Sequence, residues 1–372
     1  MIIAVNTRLQ QETQPDGYED YLFELLDRVT GKFPQHEFLY IFDKPYTGTY
    51  RFRENVLPVI TGPVIKTSLH LQYWFNFKIP AVLRKHRAAV FVSMEGICSM
   101  RTQKPQVLLI SDLGFLLNPG LKKKRYTNFY KKYTPAFLAK ANVVAAVSEF
   151  HKALIVDQYK MTAGKITVIK PGIAAIFKPV EWDEKERTCE KYADGKAYFL
   201  FSGNINGYSN LINLLKAFSF FKTRQKSNMM LIIAANAGDD FKKELHTYKY
   251  RNHVKLLEHL PAATLAAITA AAWAMVYPVF FTGIYLPPLQ AMQCGIPVVA
   301  ADTEVLHSIC GDAALYADPA SFKDIAENMM LLYKDENRAR ELVLAGNAVL
   351  EQYQWDRSAS LLMQCIREAV DN

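Results

Sequence analysis

Short apolar segments alternate with helix-length amphipathic segments along almost the whole chain. Two parallel strands need a crossover of a dozen or more residues, usually a helix, so this alternation predicts parallel sheets covered by helices. The pattern runs to about Gly172 and then starts again, and 372 residues are more than one hydrophobic core usually serves. The predicted strands are Ile2–Val5, Phe38–Phe42, Ala89–Ser93, Val107–Ile110, Val143–Val147 and Ile166–Ile169 in the first half, and Tyr198–Ser202, Met230–Ala235, Val254–Leu257, Ala274–Tyr277, Pro297–Ala300 and Ala314–Ala317 in the second.

Both halves begin in the same way, with a strand, a loop that contains glycine and an amphipathic helix. Apolar residues recur at i, i+3, i+4 and i+7 in both helices, which is the period of a helix with one buried face. A nucleotide-binding α/β unit starts with this arrangement. The apolar positions are Leu22, Leu25, Leu26 and Val29 in the first half, and Leu211, Leu214, Leu215 and Phe218 in the second.

The boundary between the halves is marked by Pro171, Gly172 and Pro179, which interrupt both the helical and the strand period. The sequence therefore predicts a first domain over residues 1–172 and a second domain over residues 173–352. Residues 353–372 are predicted to form a helix that crosses back to the first domain, in which Trp355 and Asp356 have a packing role.

The charge and the cysteine content of the sequence indicate which partners and which compartment to expect. The formal net charge of +8 favours anionic partners such as nucleotide sugars, lipid surfaces or nucleic acid. Five cysteines without a CxxC pair suit a reducing compartment better than a disulfide framework or a zinc site. The eight histidines form no metal-binding spacing, so no metal site is predicted. The sequence has no run of eighteen apolar residues and no signal-peptide pattern, which predicts a cytoplasmic protein.

The segment Val276–Ala300, VYPVFFTGIYLPPLQAMQCGIPVVA, resembles the nucleotide-sugar site of the family-four retaining glycosyltransferases. The pattern of that family runs Tyr-Pro-Ser, Glu-Gly-Phe-Gly-Leu-Pro, Glu-Ala-Met and Gly-Pro-Val-Val. Other segments match the family in the expected order, so the resemblance covers nearly the whole chain. These segments are Ala146–Lys152, Lys165–Ile173, Tyr198–Lys222, Gly311–Pro319 and Tyr353–Ala359.

This resemblance implies a GT-B fold, in which two Rossmann-like, doubly wound parallel-sheet domains face a cleft. It also implies transfer of a hexosyl group from a nucleotide sugar to a saccharide or lipid-linked acceptor, with retention, in cell-surface polysaccharide synthesis. No metal or other cofactor is expected, and nucleic acid is not an expected partner. The expected location is the cytoplasm, with a peripheral contact at the inner face of the membrane as an open alternative.

The chemistry of the matching segment agrees with a ligand site. Gly283 allows the backbone to approach a ligand closely, and Pro287 and Pro288 suit the first turn of a helix that begins there. The N-terminus of that helix would offer free N–H groups to an anion. Without a ligand, the same residues would form an ordinary strand–loop–helix–strand unit, and only the ordered set of matches favours the transferase site.

Several positions that carry charge in the family are neutral in this chain. The two glutamates that flank the Gly-Leu-Pro segment correspond to Thr282 and Gln290. The arginine and lysine that neutralise the donor diphosphate correspond to Asn204 and Ser209. Because removing one preorganised donor from such a site costs on the order of a hundredfold in rate, these changes bear directly on activity.

The first half departs from the family as well. Gly17 is kept, but Glu19 replaces a second glycine, and its carboxylate would repel a diphosphate. The histidine–aspartate pair that contacts the donor sugar corresponds to Ser111–Asp112. For the leaving group to be neutralised, Lys170, Arg101 or a metal would have to replace the missing cations.

These positions define the candidate site and leave two classes of function open. One is the transferase, and the other is a catalytically degenerate homologue that acts as a glycan-binding or scaffolding subunit. Binding and turnover of a nucleotide sugar would separate them. The residues predicted to act on the reacting groups are Ser111, Asp112, Asn204, Ser209 and Thr282. Those predicted to bind the nucleotide sugar are Gly17, Glu19, Gly203, Gly283, Ile284, Tyr285, Leu286 and Gln290.

One further segment, Lys122–Tyr133, interleaves basic and aromatic residues. Such a segment can lie on anionic lipid headgroups as a peripheral membrane contact. It can equally be a helix with a solvated basic face whose rings pack inward, and the sequence slightly favours this second interpretation.

Overall fold

The computed structural model describes residues 1–8, 18–46, 52–117, 124–203, 205, 209–280 and 284–371, and of residues 18–20 it describes only the backbone. The chain forms two compact units, one of Met1–Gly172 with Gln354–Asn372 and the other of Ile173–Tyr353. Each unit is built on one sheet of parallel strands, with helices in most of the connections. The predicted fold class of two doubly wound α/β units is therefore confirmed.

The first unit contains a sheet of seven described strands. They are β1 (Ile2–Asn6), β2 (Glu37–Phe42), β3 (Val56–Ile60), β4 (Val90–Ser93), β5 (Gln106–Ile110), β6 (Val143–Ala146) and β7 (Ile166–Val168). Their order across the sheet is β3-β2-β1-β4-β5-β6-β7, and all neighbours are parallel. The chain thus adds strands on one side of β1 and then turns back to add the rest on the other side.

Helices cover both faces of this sheet, as expected for a parallel sheet. Leu22, Leu25, Leu26 and Val29 are all buried, so the predicted apolar face of the first helix is confirmed. The helices are α1 (Tyr18–Lys32), α2 (Ser68–Tyr73), α3 (Ile79–Lys85), α4 (Gly114–Leu117), α5 (Lys124–Lys140), α6 (Glu149–Tyr159) and the C-terminal α15 (Trp355–Asp371), and a π-helical segment, Trp74–Lys78, joins α2 to α3.

The sequence analysis missed one strand, β3. It contains Pro58, which has no N–H to donate, and a proline is usually evidence against a central strand. Pro58 is compatible with this strand because β3 is at the edge of the sheet and pairs only with β2. Its side chains are only partly buried, so it also lacks the continuous apolar run of the inner strands.

The second unit contains six described strands, β8 (Tyr198–Ser202), β9 (Met230–Ala234), β10 (Val254–Leu257), β11 (Ala274–Tyr277), β12 (Val298–Ala301) and β13 (Ala314–Ala317). Their order is β10-β9-β8-β11-β12-β13, again all parallel. Its helices are α7 (Trp182–Ala193), α8 (Leu211–Gln225), α9 (Asp239–Thr247), α10 (Ala262–Ala271), α11 (Leu286–Gln293), α12 (Glu304–Cys310), α13 (Phe322–Lys334) and α14 (Glu336–Leu350).

The predicted strands agree with these elements. β8, β10, β11 and β13 match to the residue, the prediction for β12 is shifted by one residue at both ends, and the other predicted strands differ by one residue at one end. Inner strands of a parallel sheet are apolar throughout, so their limits are visible in the sequence. Among the described residues, no helix is both long and apolar enough to cross a membrane.

The C-terminal helix α15 belongs to the first unit, where it packs against α1. Trp355 is buried with its ring 5.9 Å from the ring of Tyr21. The Ser358 hydroxyl donates to the carbonyl oxygen of Lys170 at 2.5 Å. A Cβ atom on Gly172 would lie only 2.4–2.5 Å from atoms of Trp355, so this position has no room for a side chain.

We therefore expect Gly172→Ala to lower the free energy of unfolding by about 1–3 kcal/mol, because the added methyl group overpacks Trp355. Gly164→Ala is the matched control, since a Cβ there meets no atom within 4 Å. The control should be neutral or stabilise by up to about 1 kcal/mol. Urea denaturation measures the free energy of unfolding of each variant, and equal stability of the two variants would contradict the packing argument.

Candidate functional site

Each sheet has a point where the direction of strand addition reverses. In the first unit it lies between β1 and β4, and in the second between β8 and β11. In open α/β sheets, ligands bind outside the carboxyl ends of the strands at such a point. The two carboxyl edges are therefore the places to search for functional side chains.

Polar residues collect at the carboxyl edge of the first sheet. Successive residues of a strand point to opposite faces, so residues two apart share a face. On the face that carries a core cluster, the last apolar residue of a strand, such as Ile41 or Ile110, is followed two residues later by a polar one. The polar positions are Asn6, Asp43, Ser93, Glu95, Asp112 and Ser148.

A buried ion pair lies at the switch point itself. Asn6 and Ser93 are directly paired across β1 and β4, and two residues further on Arg8 meets Glu95. The Arg8 guanidinium donates through Nε to Glu95 Oε2 at 3.2 Å and through Nη2 to Oε1 at 3.1 Å. The two side chains are 16% and 3% exposed. Burial opposes the charge of Arg8, but Glu95 and Asp43 outweigh it and raise the pKa of the guanidinium.

Asp112, predicted as a site residue, follows β5 beside this pair. Its Oδ1 accepts a hydrogen bond from the N–H of Gly114 at 2.7 Å, and its Oδ2 accepts one from the Tyr126 hydroxyl at 3.4 Å. The ring of Tyr126 lies 4.5 Å from that of Tyr130. Burial raises the pKa of Tyr130, and the charge of Glu95 adds to the effect. The neighbouring Ser111, also predicted, is buried at the end of β5.

A serine–histidine pair completes this edge after β6. Ser148 caps α6, where its Oγ accepts from the backbone N–H of His151 at 3.2 Å and lies 2.8 Å from His151 Nδ1. Burial lowers the pKa of the His151 imidazole to about 4, against an opposing effect of Asp112. The ring is therefore neutral at physiological pH.

Several buried atoms at this edge have no hydrogen-bond partner within the described part of the chain. Most buried polar groups in folded proteins are bonded to protein or to ordered water. Three exceptions lie at the ends of the neighbouring strands β2, β1 and β4, and a fourth lies in α6 after β6, so these positions could bind a polar ligand or water. These atoms are Asn6 Nδ2, Asp43 Oδ1, Ser93 Oγ and His151 Nε2.

The switch point of the second unit is formed by the loop after β8. Gly203 has φ +138°, which side chains rarely allow, so glycine is required there. The predicted residue Ser209 is buried. Asn210, which the sequence analysis missed, adopts a left-handed conformation at the start of α8. Its Nδ2 donates to the carbonyl oxygens of Pro278 at 2.9 Å and Pro319 at 2.7 Å, so it joins the loop to the ends of β11 and β13.

The segment after β11 leads into α11 as the sequence predicts. Ile284, Tyr285 and Leu286 are buried, and α11 begins at Leu286 with prolines in its first turn. Gln290 lies on this helix and is half-buried. The start of α11 lies beside the loop of Gly203, because a Cβ atom added to Gly203 would lie 4.0 Å from Pro287 Cγ.

The structure thus brings the described candidates together at two edges, Ser111 and Asp112 in the first unit and the remaining described candidates in the second. Gly17, Asn204, Thr282 and Gly283 lie outside the described residues. Glu19 lies in α1, but its side chain is outside the described part.

Both cations considered as replacements belong to the first unit. Arg101 stacks on the Phe77 ring at 4.1 Å. Lys170 follows β7, where burial lowers the pKa of its ammonium group and Glu149 opposes that effect. Within the described residues no group of three or more His, Cys, Asp or Glu side chains could hold a metal ion.

The sequence analysis did not select Arg8, Asp43, Glu95 or His151 as site residues. Among these four residues, a polar position two residues beyond the last apolar residue of a strand face is a signal for Asp43 alone. Arg8 and Glu95 lie two residues further along their chain segments, and His151 lies within α6, so only the strand order shows that these residues belong to one edge.

The neutral state of His151 predicts a pH effect on stability. The unfolded imidazole has a pKa near 6.5, so between that pH and about pH 4 the unfolded chain binds a proton that the folded chain does not. The free energy of unfolding should therefore decrease as the pH is lowered through this window, by up to about 3 kcal/mol in total. His151→Gln should lose most of this dependence, and the exposed His246→Gln should keep it. Urea midpoints at pH 7 and pH 4.5 test this, and parallel behaviour of the two variants would contradict it.

Comparison with known proteins shows which family the chain matches. The model of glycosyltransferase family 4 matches residues 17–175, and the model of glycosyl transferases group 1 matches residues 183–348. The O-antigen chain mannosyltransferase B of Escherichia coli is 26% identical over 254 residues, which is 67% of each chain.

Two solved structures are similar over nearly their whole length. Sucrose-phosphate synthase from Thermosynechococcus elongatus has a TM-score of 0.81 at 15% identity, with 99% of this chain and 98% of that one covered. HepE of Anabaena, in complex with UDP-glucose, has a TM-score of 0.75 at 15% identity, with 98% and 99% covered. These similarities concern the fold, whereas the two family matches cover both α/β units in order. The chain belongs to the group 1 glycosyltransferases of the GT-B type.

Proposed function

We propose that this chain is a retaining hexosyltransferase that uses a nucleotide sugar and extends a saccharide or lipid-linked acceptor during cell-surface polysaccharide synthesis. The observation that carries the proposal is the match of both units to glycosyltransferase family models. The similarity to an O-antigen mannosyltransferase supports hexosyl transfer in polysaccharide assembly. Retention of configuration rests on the resemblance to the family.

In this proposal the switch point of the second unit binds the donor. Gly203 lets the backbone approach the phosphates, and the amide of Gln290 bonds the ribose hydroxyls in place of a carboxylate. Asn204, Thr282 and Gly283 complete the site as predicted from the sequence. The similar fold of HepE with bound UDP-glucose supports a nucleotide sugar as the ligand.

The carboxyl edge of the first unit is proposed to bind the acceptor sugar. The free oxygen of Asp43 can accept hydrogen bonds from sugar hydroxyls, while the Asn6 amide can donate to hydroxyl oxygens. Ser93 can do either. Because Asp43, Glu95 and Asp112 are carboxylates and Arg8 is already paired, this edge suits a neutral sugar better than a phosphate.

The proposed reaction breaks the bond between the anomeric carbon and the phosphate oxygen and forms a bond from that carbon to the acceptor oxygen on the same face. The acceptor hydroxyl passes its proton to the departing phosphate, which leaves with the bonding electrons. Negative charge therefore develops on the leaving group, where preorganised N–H donors are most effective. We propose no metal requirement, on the basis of the family resemblance, and turnover should persist in EDTA.

We also propose that the chain acts in the cytoplasm with a peripheral membrane contact through Lys122–Tyr133. Lys124, Arg125, Lys131 and Lys132 are exposed, whereas Lys122 and Lys123 lie outside the described residues. Lys131→Gln combined with Lys132→Gln should lower binding to phosphatidylglycerol vesicles. Unchanged binding would argue against this contact.

The donor site is tested by thermal melting with UDP, GDP and their hexose conjugates, followed by a turnover assay. A nucleotide at a hundred times its Kd should stabilise the chain by about 2.7 kcal/mol. Gly203→Ala should weaken this shift because the backbone beside the ligand changes. Gly195→Ala is the control, since this glycine also has positive φ but precedes β8 at its other end. A shift without turnover would support the scaffolding alternative, and no shift with any nucleotide would refute the transferase.

A further inference from the structure

Positive charge is concentrated in one part of the first unit. Between Val56 and Ser111 the chain has seven basic residues and a single acidic one, Glu95, which is the buried partner of Arg8. The difference of seven and one gives this stretch a formal charge of +6, out of +8 for the whole chain. The basic residues are Lys66, Lys78, Arg84, Lys85, Arg87, Arg101 and Lys104, and all except Lys78 are exposed.

The helical segment in this stretch presents large apolar side chains to solvent. Leu69, Tyr73 and Phe77 are spaced by four residues, so they lie along one side of α2 and the π-helical segment. They are 70%, 45% and 46% exposed. The adjacent Trp74 and Phe75 are buried, so the core-facing side of the segment is already occupied by other rings.

Basic groups and a methionine extend this apolar row. The Tyr73 and Phe77 rings are stacked with centroids 5.3 Å apart. The Arg101 guanidinium lies 4.1 Å above the Phe77 ring, and the Lys78 ammonium lies 5.9 Å from the Tyr73 ring. The N–H of the exposed Met100 donates to Asn76 at 2.8 Å, which fixes the Met100–Arg101 backbone beside this segment. We call Leu69, Tyr73, Phe77, Lys78, Met100 and Arg101 the aromatic–basic face.

We infer that the aromatic–basic face docks on an anionic lipid surface. Amphipathic rings and leucine side chains enter the headgroup boundary, while lysine and arginine beside them pair with lipid phosphates. The basic surroundings would make two copies of the face repel each other, which disfavours a dimer through it. The positive charge of the face therefore favours an anionic partner. Its exposed apolar row favours a partner with an apolar interior, such as a lipid bilayer.

This face is distinct from the segment Lys122–Tyr133. In α5, Phe129 is buried in the core cluster, and Tyr126, Tyr130 and Tyr133 pack against that cluster. The rings of α5 therefore pack inward, as in the second interpretation of the sequence, and basic side chains such as Lys131 and Lys132 are exposed. The inference does not depend on glycosyl transfer, so it can be tested without a turnover assay.

The test is co-sedimentation of the full chain with vesicles of phosphatidylcholine alone and with 30–40% phosphatidylglycerol, a range of roughly the charge density at which basic segments bind. The wild-type chain should bind the anionic vesicles and not the neutral ones. Tyr73→Ser with Phe77→Ser should reduce partitioning by at least about tenfold, because both inserted rings are lost. Melting curves establish that the variants are folded.

Two single leucine variants give the matched control. Leu69 in the face and Leu344 in α14 of the second unit are both 70% exposed on helices. Leu69→Ser should lower vesicle binding by about fivefold, since one inserted side chain is lost, and Leu344→Ser should leave it unchanged. Equal effects of the two variants, wild-type binding by the double variant, or binding of single-stranded RNA without binding of anionic vesicles would overturn the inference.

Discussion

Parallel pairing of neighbouring strands is the constraint on which the functional geometry of this chain depends. All strands of a parallel sheet end at one edge, so residues that follow different strands meet there however far apart they are in sequence. In both units the first strand lies inside the sheet, and the strands on its two sides come from different parts of the chain. In the second unit α8 follows β8 and α11 follows β11, whereas in the first unit α1 follows β1 and the described residues between β4 and β5 form no helix.

The two edges use different chemistry. In the first unit, the carboxyl edge of the sheet has carboxylates, one paired arginine and several amide, hydroxyl and imidazole atoms without a hydrogen-bond partner in the described part of the chain. In the second, the described residues offer a glycine with positive φ, an asparagine that fixes the loop and the start of α11. Under the proposed function, a donor phosphate would therefore meet backbone N–H groups and neutral amides there among the described residues, whereas sugar hydroxyls would have more hydrogen-bond partners at the first edge.

Much of the fold was predictable because its signals are local. Inner strands such as β8 and β11 are continuous apolar runs, so both were predicted to the residue. The edge strand β3 was not predicted, because it contains Pro58 and is only partly buried, so it lacks a continuous apolar run. The site was less predictable. Family motifs identified Asp112 and Gln290 as candidates, but they gave no reason to select Arg8 and Glu95, which lie 87 residues apart.

The sequence by itself determined the α/β class, the repetition of the pattern in two halves and the positions of most strands and of a few helices. These follow from the burial period of each segment, which depends only on near neighbours. Only the tertiary structure decided that β1 lies between β2 and β4, and hence that Asn6 faces Ser93 and Arg8 binds Glu95. Strand order is a property of contacts between distant segments, so no local period of the sequence could specify it.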